Sequence, residues 1–138
     1  MWTKEQQKEH RKLWIDALRS GDYKQATSQL RYEDGFCCLG VACDLWMKSG
    51  DAPKFVQWEG EYFVYRELED GEDPDSTRNQ ISNILPDEVR DWLGLRTNCG
   101  YYGPYPTVAL TSVNDSGTDF NEIADIIETE PEGLINDA

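Results

Sequence analysis

Phe36-Cys37-Cys38-Leu39-Gly40-Val41-Ala42-Cys43-Asp44-Leu45 is the stretch on which the fold turns, because it sets three of the four cysteines among apolar neighbours. From Leu39 to Ser49 apolar side chains fall almost all round a helix, with Gly50 as its stop, and a helix without a polar face is a central one. Free cysteine is among the most buried residue types, so the thiols read as core filling. Two rival readings stand beside that one. A zinc site could draw on Cys37, Cys38, Cys43, Cys99 and His10, but zinc ligands usually pair two to four residues apart, and the pairs here are adjacent or separated by four others. On a strand, Cys37 and Cys38 would also point to opposite faces, and a disulfide between neighbours would be strained. A thiol nucleophile needs a base beside it. His10 is the sole histidine, it falls on an apolar helix face, and no Asn or Asp at a telling spacing completes the set. No G-x-S-x-G elbow is present. No residue is therefore assigned a catalytic or metal-binding role, and no cofactor is implied.

Working outward, Thr3 and Gln6 form a capping box that opens a helix, which Gly21 should stop. His10, Trp14, Ala17 and Leu18 share one of its faces, with Leu13 on the flank. Tyr23 to Gln29 reads as a short polar helix or turn. Leu30-Arg31-Tyr32 and Phe36-Cys37-Cys38 flank Glu33-Asp34-Gly35 as a hairpin, Asp-Gly supplying the positive φ of a tight turn. Phe55 to Trp58 and Tyr62 to Tyr65 make a second hairpin around Glu59-Gly60-Glu61. The stretch 67–80 opens with six acids in nine residues and reads as a solvated, flexible loop, and a polar helix is expected over Ser76 to Ile84. Pro86-Asp87-Glu88 starts another helix, ending at Gly94. Thr107 to Val113 is β-like. Asn114-Asp115-Ser116-Gly117 is a turn into a last helix, with Asp119 as N-cap, Glu122 closing the box, and Phe120, Ile123, Ala124 and Ile127 as its apolar stripe. The expected architecture is a single α+β domain over residues 1–138: a small antiparallel sheet of hairpins packed by three to four helices.

The 138 residues suit one domain, and 38% hydrophobic content with five Trp supports a core. A net charge of -14 repels phosphate backbones and anionic membranes, which excludes direct nucleic-acid binding and favours a basic partner. The charge is unevenly spread: basic residues outnumber acids up to Lys24, and after Arg96 only acids occur. No charged-then-apolar leader and no membrane-length apolar run is present. Unevenly spaced cysteines without a leader point to a reducing, cytoplasmic setting.

Three surfaces are candidates for contact. Tyr101-Tyr102-Gly103-Pro104-Tyr105-Pro106 offers broad aromatic area on a loop held by Pro and Gly; its rings either bind or cover the end of the sheet. Asn114 and Asp115, before a helix N-terminus, are either turn and cap or ligand contacts, although Asp115 and Asp119 oppose a phosphate there. The calcium-loop order is not met. Asp119, Glu122, Asp125 and Glu128 line the outer side of the last helix, as a solvated face or as a charge mimic. A captured nucleotide would need aromatic stacking and one of the few cations, Arg66, Arg78, Arg90 or Arg96. The nearly all-apolar central helix leaves a homodimer open.

Four blocks carry a resemblance: Leu18 to Gln25, Gly35 to Leu45, Leu85-Pro86 with Val89-Arg90 and Trp92 to Leu95, and Asn114 to Gly117 with Phe120 and Ile123 to Glu128. In that order they resemble a family of small, uncharacterised bacteriophage and prophage proteins. The resemblance implies an accessory protein of the host-cell cytoplasm that counters host defence. The expected activity is non-enzymatic: sequestering a nucleotide-derived ligand, or blocking a host protein with a basic surface. Tyr101, Tyr102, Tyr105, Arg96, Asn114 and Asp115 are the expected ligand contacts. The alternative is a small thiol- or metal-dependent enzyme using Cys37, Cys38 and Cys43.

Overall fold

The structure, a computed structural model, describes residues 2–73 and 79–136. In chain order it runs α1 (Lys4–Arg19), β1 (Lys24–Gln25), β2 (Arg31–Tyr32), β3 (Gly35–Phe36), α2 (Cys38–Lys48), β4 (Gln57–Glu59), β5 (Tyr62–Val64), β6 (Gln80–Ile81), α3 (Asp87–Leu93), β7 (Tyr101–Tyr102), β8 (Val108–Ala109), α4 (Leu110–Asp115) and α5 (Phe120–Glu128). This is an α+β domain in which helices carry the core. The strands are two or three residues long and fall into three small sheets. Their pairings are antiparallel except that of β1 with β3.

α1 begins as its sequence dictates: Thr3 accepts from the Gln6 amide and Gln6 returns to the Thr3 amide. Its inner face, Trp14, Ile15 and Leu18, packs on α2, α3 and α5, while Leu13 points out. α2 is buried along most of its length, as a helix without a polar face must be. Gly40 lets it lie against the backbone of Leu30, where a Cβ would stand 1.8 Å from the Leu30 carbonyl oxygen. Trp14 closes the junction by donating from Nε1 to the Cys38 carbonyl.

Several local expectations give way to the structure. Tyr23 to Gln29 holds a strand, β1, and no helix. The first hairpin turns with positive φ at Glu33, not at Gly35. Gly35 sits in β3, where a Cβ would stand 3.0 Å from Cβ of Ala26, so its smallness serves the β1–β3 pairing. Cys37 is the N-cap of α2 and Cys38 its first residue, so neither thiol belongs to a strand. Gln80 and Ile81 pair with β5 in place of the expected polar helix, because Phe63 and Val64 need a neighbour on that edge; residues 76–78 of that expectation lie outside the described residues. Thr107 to Val113 is strand only at Val108 and Ala109, after which Leu110 enters α4. Asn114 and Asp115 end that helix. Asp119 caps α5 by accepting from the Glu122 amide.

Candidate functional site

The thiols lie where core residues lie. Cys38 and Cys43 are fully buried and Cys37 nearly so. Burial disfavours the thiolate: it pushes the Cys37 thiol up to about 11 and those of Cys38 and Cys43 well above the ordinary range. The Cys37 sulfur accepts from the Gly40 amide, capping α2. Among the described residues no group of three or more His, Cys, Asp or Glu is placed to hold a metal ion.

His10 is far from these sulfurs in function. Its Nδ1 lies 2.6 Å from the Trp92 carbonyl oxygen, its ring stacks on the Trp92 indole at 4.1 Å, and Trp2 meets it edge-on. Arg11 next to it donates to the Leu93 carbonyl at 2.7 Å. Together the two side chains cap the C-terminal carbonyls of α3, the end where helix carbonyls lack partners.

Asn114 and Asp115 are likewise absorbed into the scaffold. Asn114 is wholly buried, accepts from the Cys38 amide and from Gln25 Nε2, and donates to the Ala26 carbonyl. Asp115 accepts from the Ser28 amide at 2.8 Å. These residues bolt the end of α4 to β1, the 26–28 turn and the start of α2, away from the tyrosine loop.

The other four expected contacts come together. Arg96, Tyr101, Tyr102 and Tyr105 line one cleft of ≈ 540 Å³ with Pro104, Thr107 and Glu132. Three segments build it. The Leu95–Ile135 bridge and the Arg96 amide, donating to the Leu134 carbonyl, fix the arginine. The Tyr101↔Ala109 and Tyr102↔Val108 pairing presents the rings. The Gly103 amide donates to the Glu132 carbonyl, joining loop to tail. Tyr105 is 96% exposed and Tyr101 45%, so the rings do not simply cover a sheet. Desolvation raises the Tyr102 hydroxyl above its usual value.

The arginines separate the candidates. Arg66 pairs with Glu72, and Arg90 with Asp87 and Asp91; Arg78 lies outside the described residues. Arg19 bridges Asp125 and Glu128, Arg11 donates to a carbonyl, and Arg31 lies over the rings of Phe36 and Trp58. Among the described residues, Arg96 is the arginine whose guanidinium has no carboxylate, carbonyl or ring partner. Thr107, Glu132, Gly133, Ile135 and Asn136 are the members of the cleft that sequence reasoning missed. Pro131-Glu132-Gly133 signals a turn, but nothing in it says which loop the turn faces.

The unevenly spread charges meet in space. The outer carboxylates of α5 are compensated, because Arg19 of α1 donates to Asp125 at 2.6 Å and to Glu128 at 3.1 Å. The basic start of the chain and its acidic end are packed side by side, not set at opposite poles. A larger cleft, ≈ 910 Å³, is walled by Trp2, Trp46, Pro53, Asp51, Glu88 and Asp91. It adjoins both ends of the described chain.

The molecule is thus an α+β domain bearing an aromatic cleft with one uncommitted arginine. Residues 6–131 match the domain family DUF8296, described as a domain of unknown function, and the chain belongs to that family. No curated protein and no solved structure matches it. Among the described residues no helix is long and apolar enough to cross a membrane.

Proposed function

We propose that this protein acts by binding and not by bond-making, and that its ligand surface is the cleft of Arg96, Tyr101, Tyr102 and Tyr105. The observation that carries this is the uncommitted Arg96 guanidinium beside three tyrosines, in a molecule where acids outnumber bases 27 to 13. Elsewhere Arg19, Arg66 and Arg90 each find a carboxylate. Here Arg96 faces solvent beside rings on which a planar base can stack. A nucleotide-derived anion is the ligand class that uses both features. The resemblance to bacteriophage proteins supports a sequestering role against host defence in the host cytoplasm.

Blocking a basic host protein has less support, since Arg19 already occupies two of the carboxylates such a partner would seek. A thiol enzyme has less still, given the burial of Cys37, Cys38 and Cys43. Mass spectrometry of the gently purified protein tests the reading. A retained aromatic anion is expected, lost in both Arg96→Gln and Tyr105→Ala while the melting temperature stays put. Retention unchanged in both variants would remove the cleft from consideration.

A further inference from the structure

Resting on the cleft being a nucleotide site, we infer that its ligand carries a single phosphate group, and that polyphosphates are turned away. The argument is one of charge count. Among the residues lining the cleft there is one guanidinium, Arg96, and one carboxylate, Glu132. A guanidinium fork matches one phosphate in two parallel hydrogen bonds. Among the described residues, a second and third phosphate would find no further cation in this cleft.

They would instead meet Glu132. Its position is set by the main chain, because the Gly103 amide holds the Glu132 carbonyl at 2.6 Å. Gly133 follows, so close to the arginine that a Cβ there would stand 3.6 Å from one guanidinium nitrogen. The Glu132–Gly133 turn and the Arg96 guanidinium therefore border the same cleft from two segments of the chain, and a phosphate held by the cation has a carboxylate on the neighbouring wall. Each like charge at roughly 4 Å costs about fivefold in affinity in water. The surface as a whole adds to the penalty, since a formal charge of -14 repels each added anionic charge. The site differs in kind from polyphosphate sites, which gather glycine amides, lysine and a divalent cation around the phosphates. What Glu132 does offer is an acceptor for a donor on the ligand, a ribose hydroxyl or an exocyclic amine.

Calorimetric titration at low ionic strength, without divalent cations, separates the cases. The probes are adenosine, AMP and ATP, with guanosine, GMP and GTP as a second series. We expect the monophosphate of at least one series to bind at least fivefold more tightly than its nucleoside and its triphosphate. Glu132→Gln should then narrow the gap to the triphosphate by about fivefold. A triphosphate that binds as tightly as the monophosphate, or a gap that Glu132→Gln leaves unchanged, overturns this inference alone if Arg96→Gln and Tyr105→Ala still abolish binding. Absence of binding in both series overturns the nucleotide reading and this inference with it.

Discussion

At the scale of single residues, Gly40 and Asn114 hold the arrangement that the thiol-rich segment only suggested. A methyl at Gly40 would overlap the Leu30 carbonyl, and both partners are main chain, so neither can swing aside. Gly40→Ala should cost about 3 kcal/mol or more, or prevent folding, as read by urea denaturation. Asn114→Ala removes the partner of the buried Cys38 amide and of the part-buried Ala26 carbonyl; a loss of about 3 kcal/mol is expected from the same measurement. The cysteines give a prediction of a different kind. A thiol probe should modify Cys99 alone in the native protein, and all four in denaturant, since the other three are buried. Their burial also sets an alkaline limit. The folded Cys37 stays neutral to about 11, whereas the unfolded thiol ionises near 9. Between those values the unfolded state binds fewer protons, so stability falls as pH rises, by about 1.4 kcal/mol per pH unit for each such thiol. Cys38 and Cys43 shift in the same direction and steepen the fall. Chemical denaturation at pH 8 through 10.5 should show it, and a flat profile would contradict the buried, neutral thiols.

At the scale of elements, helices with caps were legible and short strands were not. Thr3 and Gln6, Asp119 with its stripe, and Gly94 after Leu93 each marked a real terminus, because capping is chemistry between residues close in sequence. The second turn-rich region misled for the opposite reason. Val108 and Ala109 pair with Tyr102 and Tyr101, but Leu110 leaves the strand because Leu110 and Asn114 are buried on one face of a helix, one turn apart. Nothing local announces that switch, since β-branched and polar residues suit both states and tertiary burial decides. The cleft shows the same division. Its tyrosines were visible as a loop held by Pro and Gly, and Arg96 as one of four possible cations. The choice among Arg66, Arg90 and Arg96 required knowing where Glu72, Asp87 and Asp91 lie. Gly94 permits a test at this scale. It ends α3 with φ 73°, beside the side-chain ends of Gln7 and Arg11. Gly94→Ala should cost about 1–2 kcal/mol through the left-handed backbone alone. Thermal unfolding should read that loss without a change in the folded spectrum, because Gln7 and Arg11 can shift.

At the scale of the whole molecule, the uneven charge of the sequence is folded away in part and kept in part. α1 brings Lys8, Arg11 and Lys12 to the groove that Glu128 and Glu130 share, and Arg19 closes its far end on Asp125 and Glu128. Arg19, Lys24, Lys48, Arg66 and Arg90 are paired with the chain's own acids. What remains is a net negative surface on which the exposed Arg96 stands beside Tyr101, Tyr102 and Tyr105. Self-repulsion of that surface opposes the compact state, and salt screens it over about 10 Å at 0.1 M. The melting temperature of the free protein should therefore rise when sodium chloride goes from about 0.01 M to about 0.3 M. The same screening weakens the pairing of Arg96 with an anionic ligand while relieving the repulsion of that ligand by the rest of the surface. The two effects oppose each other, so ligand affinity should change with salt far less than it would for a site built of several cations. A basic protein partner would behave differently, with both terms attractive and affinity falling steeply over that range. Measured side by side, melting temperature against salt and ligand affinity against salt should diverge: a clear rise in the first and a shallow slope in the second. A steep loss of affinity for the anionic ligand would mean that several cations, and not Arg96 alone, hold it.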